Sequence, residues 1–218
     1  MNAFDMIVNF FKQGGAFLYP IAAVFAVGLG FAVERFIYLH RVAKGNRRLW
    51  AELAPLIKAG NFRKAMELAE QTDSALSTVM RYGMSRIATA QRREDIEKAM
   101  EESLIEVIPH LEKRTHYLAT LANVGMLMGL LGTVIGLINA FAAVAAVNPA
   151  EKAAMLSASI SVAMNNTALG LGLAITLLLC HMYLETKTTE LVDSLEVASI
   201  KFLNSITERR QAVAEPAS

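Results

Sequence analysis

The chain has 218 residues, one domain's worth of sequence by length alone. Hydrophobic residues make up 54% of it and charged residues 19%, against about 45–50% and about 25% in soluble domains, and mean hydropathy is +0.38. A net charge of +1 excludes a globally basic nucleic-acid binder and an acidic disordered chain, and a single cysteine, Cys180, excludes an intrachain disulfide framework and a multi-cysteine metal site.

Few prolines and glycines among many Ala, Leu, Met and Ile residues point to an all-α integral membrane protein. Three long intervals lack Asp, Glu, Lys and Arg: Gln13 to Val33, Thr115 to Ala150 and Ala153 to Leu184. A bilayer core of about 30 Å takes roughly 20 apolar helical residues, so each interval can span once and none can span twice. The expected division is then as follows. Residues 1–12 form an external segment and 13–33 the first transmembrane helix. Residues 34–114 form a cytoplasmic helical region, and 115–147 the second transmembrane helix with an extension. Residues 148–152 form an external link, 153–184 the third transmembrane helix, and 185–218 a cytoplasmic helical tail.

Orientation follows the basic residues. Fifteen lie between Glu34 and Arg114 and four after Leu184, against Lys12 before the first span and Lys152 in the link. The positive-inside rule therefore places the N-terminus outside and the C-terminus in the cytoplasm. The first apolar stretch is too long for a signal peptide, and the poor basic flank before it, with Asp5 ahead of Lys12, makes it an uncleaved anchor.

Between the first two spans, Asn61 is placed to cap a short helix, Phe62 to Glu70, with Phe62, Ala65, Met66 and Ala69 on one face. Thr72-Asp73-Ser74 is a break, after which a helix is expected from Ala75 to Ala90. A third begins near Glu94-Asp95 and continues into the second span, with Pro109 as a kink. In the tail, Leu184, Leu191, Leu195, Ala198 and Phe202 recur at helical spacing, a stripe expected to pack against a partner. Glu208 to Ser218 is expected to fray.

In the second span, Gly125, Gly129, Gly132, Gly136, Asn139 and Ala143 recur at spacings of four and three. Small residues in one stripe allow close backbone approach, a main route to helix association in lipid. The third span carries Asn165, Asn166 and Thr167, with Ser159, Ala163, Asn166 and Gly170 on one face. Buried amides must face protein or water. A narrow hydrated path and a hydrogen-bonded helix interface both need such groups, and Thr133 beside the glycine stripe fits either. No span contains Asp, Glu, Lys or Arg, so this chain has no intramembrane carboxylate. No nucleotide fingerprint, metal-ligand spacing or nucleophile elbow is present, so neither an enzyme nor a cofactor is expected. His116 and His181 sit near the cytoplasmic span ends, Cys180 reads as a packed thiol, and Arg47-Arg48 and Arg92-Arg93 read as solvated or lipid-headgroup contacts.

The run from Gly129 through Thr133 and Gly136 to Phe141, and the run from Ala163 through Asn166-Thr167 and Gly170 to Ile175, resemble the second- and third-span signatures of the MotA/TolQ/ExbB proton-channel family. Glu34-Arg35 and Ala59-Gly60-Asn61 are similar to its flanking pattern, and three spans with one polar insert resemble ExbB and TolQ more than MotA. The resemblance implies an inner-membrane homopentameric ring around a dimer of a single-span ExbD- or TolR-like partner. That partner's span supplies the aspartate that carries the ion, H⁺ by resemblance, to power import, envelope maintenance or gliding. It also implies Thr133 and Thr167 as pathway-lining residues. Val162 stands where ExbB and TolQ commonly have a glutamate, Thr176 replaces the proline of the family's Ala-Ile-Pro, and a proline early in the second span is replaced around Met126. The competing reading is a structural scaffold whose polar span residues serve packing only.

Overall fold

A computed structural model of the chain describes residues 15–87, 89–90, 92–145 and 148–214. The expected external segment 1–12 and the end of the tail, 215–218, lie outside the described residues. Among those described the chain is all-helical, with α1 Leu18–Lys58, α2 Phe62–Glu70, α3 Ala75–Arg86, α4 Arg93–Glu112, α5 Thr115–Ala145 and α6 Pro149–Ala214. Helices α1, α5 and α6 each contain a stretch long and apolar enough to cross a membrane. The chain divides into two compact units, one of residues 1–34 and 114–183 and one of residues 35–113 and 184–218.

The first unit is apolar outside as well as inside. Leu127, Leu130, Ile138, Phe141, Ile175 and Leu179 are all exposed, each by more than half. In water so continuous an apolar surface is a liability; around membrane-spanning helices it is the surface lipid requires. Its interior is built from small residues and Leu side chains. A Cβ on Gly28 of α1 would stand 2.5 Å from the Leu177 side chain of α6, so this glycine lets the two helices approach. Glu34 and Arg114 pair at 3.1 Å, both about half exposed.

The second unit has an ordinary buried core, and its local signals were readable. Asn61 caps α2 by accepting the Lys64 amide hydrogen at 3.3 Å. Just before it, Gly60 (φ 70°) ends α1, with the Gly60 and Asn61 amides donating to the Ile57 and Leu56 carbonyls, a Schellman arrangement that demands the left-handed residue glycine supplies. Ser74 and Ser77 cap α3 reciprocally, each backbone amide donating to the other's hydroxyl at 3.1 Å. Asp95 closes the start of α4 by accepting from the Arg92 amide at 3.0 Å. Buried Asn46 of α1 accepts the Leu76 amide at 3.2 Å, satisfying an N-terminal donor of α3 from across the core. Buried Arg35 donates to the Leu111 carbonyl near the end of α4.

Four expectations need correction. The tail expected to fray from Glu208 stays helical through Ala214. Helix α3 ends at Arg86 rather than Ala90. The helix entering the second span is not continuous: α4 stops at Glu112, Lys113 is extended (ψ 136°), and Arg114 takes a left-handed φ of 69° before α5 begins at Thr115. Pro109 is accommodated inside the last turn of α4. There its missing amide removes one hydrogen bond and weakens the turn that then ends. The tail stripe, finally, packs on its own chain. Leu184, Leu191, Leu195, Ala198 and Phe202 are all buried, with Phe202 edge-on to Phe62 of α2 at 6.4 Å and close to Gly83 of α3.

Candidate functional site

Within the first unit, α5 and α6 run antiparallel and touch along the glycine stripe. Gly125, Gly129 and Gly132 are buried and Gly136 is half-buried. A Cβ on Gly129 would lie 2.9 Å from the Asn166 carbonyl oxygen, and one on Gly170 would lie 2.8 Å from both the Gly125 carbonyl oxygen and the Gly129 Cα. These are backbone atoms that cannot rotate away. One step along, Gly132 faces the Asn166 side chain and Gly136 faces Ala163. The seam is therefore backbone against backbone at its centre and small side chain against glycine toward one end.

The two threonines sit at the edge of this crossing. Thr167 Oγ1 donates to the Gly129 carbonyl at 3.1 Å and lies 3.4 Å from Thr133 Oγ1. The Thr133 hydroxyl donates back to its own helix, to the Leu130 carbonyl at 2.6 Å. Both threonines are half-buried. Asn166 is 4% exposed, and its side-chain oxygen has no hydrogen-bond partner among the described residues. Asn165 is half-buried beside it. Asn139 is exposed, and Ala140, 1% exposed, takes the buried position at that end of α5. Elsewhere in the unit the rings of His116 and His181 stand 6.4 Å apart, edge to face.

Sequence reasoning named Thr133, Thr167 and Asn166 without knowing that one helix register brings them together. It missed Ala140, and it did not anticipate that the Gly129 carbonyl would accept the Thr167 hydroxyl. Among the described residues no cluster of three or more His, Cys, Asp or Glu side chains is placed to hold a metal.

These features define a helical membrane protein whose second and third apolar helices meet through glycine backbone and threonine hydroxyls. Residues 71–197, more than half of the chain, match the MotA/TolQ/ExbB proton channel family, and the chain belongs to that family. It is also 28% identical over 198 residues to a protein of Methanothermobacter thermautotrophicus described as a biopolymer transport protein ExbB homolog, an alignment covering 90% of this chain and 69% of the relative. The family is one of proton channels, and the chain is a membrane subunit of that kind.

Proposed function

We propose that the chain is the ring subunit of a bacterial inner-membrane motor in which five copies surround two copies of a single-span, ExbD- or TolR-like partner. The N-terminus lies in the periplasm. Residues 34–114 and 185–218 form helical extensions in the cytoplasm, and 148–152 form the external link. Proton flow past Thr133 and Thr167, with Asn165 and Asn166 beside them, turns or rearranges one component against the other. That movement does work at the envelope: import, envelope maintenance or gliding.

The observation that supports this reading is the hydroxyl pair itself, two half-buried groups 3.4 Å apart across a seam closed at its centre by backbone. No span carries Asp, Glu, Lys or Arg, and His116 and His181 sit near the cytoplasmic span ends, so the carboxylate that holds the proton is assigned to the partner's span, where an ionisable side chain is by default functional. The Thr133→Val, Thr167→Val double variant tests it. Valine keeps the branched shape and deletes the hydroxyl. Co-produced with a single-span, ExbD- or TolR-like partner, the variant is expected to assemble but to lose proton uptake into energised inverted vesicles, with Thr167→Ser retaining part of it. Full proton uptake by the double variant leaves only a packing role for both hydroxyls.

A further inference from the structure

The second unit carries two oppositely charged, exposed faces, with Tyr82 reaching the edge of the acidic one by donating to Glu106 at 3.2 Å. From Arg35 to Arg48, α1 holds five basic residues and no acid; from Ala99 to Glu112, α4 holds four glutamates and no lysine or arginine. Arg41, Lys44 and Arg48 are exposed and follow one another at spacings of three and four, one stripe of the helix. On α4, Glu101, Glu102 and Glu106 are exposed around Ile105, which is itself 73% exposed. Among the described residues Arg41 and Lys44 have no ion-pair partner in the chain, and Glu101 and Glu102 have none either. Arg48 is paired only along its own helix, with Glu52.

With both helices taken along one axis, the two faces also fall at matching levels. Arg35 of α1 donates to the Leu111 carbonyl of α4, which serves as a common reference point for the two helices inside this unit. Counting from it along α1 at about 1.5 Å per residue, Arg41 stands at about 9 Å and Lys44 at about 14 Å. Counting back along α4, Glu106 stands at about 8 Å and Glu102 at about 14 Å. Copies arranged around one axis keep their levels, so groups that meet between neighbours must lie at equal heights. Closing a ring of more than two copies further requires two different faces that complement each other, because each interface takes one face from each neighbour. A basic stripe and an acidic stripe at the same heights, on a chain whose net charge is only +1, meet both conditions.

We infer that the occupant of each face is a second copy of this chain, with the α1 basic stripe of one copy against the α4 acidic stripe of the next. This inference rests on the ring reading above and adds which faces close it. Such contacts set register and orientation more than they set affinity. Exposed Ile105 supplies an apolar contact within the acidic face.

The test uses the full chain in detergent, with its single-span partner where that co-purifies, and reads dissociation on dilution by light scattering. Arg41→Glu with Lys44→Glu, and separately Glu102→Lys with Glu106→Lys, should each make the assembly dissociate at about tenfold higher concentration, as expected for a few exposed pairs turned repulsive. All four substitutions in one chain should restore assembly to within about threefold of the unaltered protein, because every interface again joins opposite charges. Additive weakening in the fourfold variant overturns the inference, as it would if the α1 stripe serves anionic lipid headgroups alone. A disulfide pair reads the same contact directly. Lys44→Cys with Glu102→Cys, on a Cys180→Ser background, should give an oxidised ladder of linked chains. Cross-linking confined within single chains, or none, also overturns it. An unaltered protein that is monomeric with and without its partner removes the ring reading itself, which is a separate failure.

Discussion

Gly170→Ala is the sharpest probe of the α5–α6 seam. The added methyl would stand 2.8 Å from the Gly125 carbonyl oxygen and the Gly129 Cα, where ordinary contact begins at 3.4 Å. Neither neighbour is a side chain that can turn, so the helices must part by about 0.6 Å, and overpacking of this kind costs about 1–3 kcal/mol. The same movement carries Thr167 Oγ1 from its present 3.1 Å from the Gly129 carbonyl to about 3.7 Å, beyond hydrogen-bond reach. An interhelical bond in a membrane protein is worth about 0.6 kcal/mol. Alanine returns about 0.5–1 kcal/mol through its better helix propensity. The net expected loss is about 2 kcal/mol. Gly172, two residues on, has nothing within 4 Å of its Cβ position, so Gly172→Ala should be neutral or stabilising by up to about 1 kcal/mol. Unfolding by dodecyl sulfate in mixed micelles, followed by circular dichroism on the separated chain, measures both. A Gly170→Ala variant as stable as the unaltered chain would refute the backbone-contact account, and so would equal losses at the two positions.

Three further outcomes are expected. In the second unit Phe202 is fully buried, so Phe202→Ala should cost about 3–5 kcal/mol, read as a lowered unfolding midpoint. Tyr82 donates to Glu106 at 3.2 Å. The carboxylate's charge disfavours a phenolate beside it, which holds the Tyr82 pKa above its ordinary 10.0; Glu106→Gln should bring it back down, seen in the ultraviolet titration of tyrosinate. A reporter inserted at Asp73, in the break between α2 and α3, or fused after Ser218, should report cytoplasm, whereas one at Asn148 should report the outside; an external Asp73 would overturn the proposed topology.

Much of the fold was legible because its signals are local. Asn61 and Ser74 announce helix starts through their own side chains, and the charge-free intervals announce apolar helices whatever their neighbours are. The tail stripe was legible as a face, but what covers it was not, since periodicity carries no information about the partner. The break at Lys113-Arg114 left no trace either. A left-handed residue is usually glycine or asparagine, and here it is an arginine, with helix-forming residues on both sides. Asn139 shows the limit of the stripe itself. At about 100° per residue, the four glycines average to a direction from which Asn139 and Ala140 lie about 50° to either side. Spacing alone could not choose between them; the surrounding helices bury Ala140.

The polarity of the candidate site follows from where its hydrogens go. Each threonine hydroxyl has one hydrogen and two lone pairs. The Thr167 hydrogen is shared between the Gly129 carbonyl at 3.1 Å and Thr133 Oγ1 at 3.4 Å, and the Thr133 hydrogen goes to the Leu130 carbonyl, so what remains open on both oxygens is acceptor capacity. The Asn166 side-chain oxygen, buried and without a partner among the described residues, adds another acceptor on the same stretch of α6. On the proposed reading, a pathway edge of this kind receives a group that brings its own proton, a neutral carboxylic acid or a hydrated proton, better than it receives a bare carboxylate. The tight glycine seam serves this arrangement by holding the Gly129 carbonyl where it takes the Thr167 hydrogen. A seam forced open frees that hydrogen and turns an acceptor-only edge into a mixed one. Gly170→Ala should therefore impair proton coupling even where the ring still assembles.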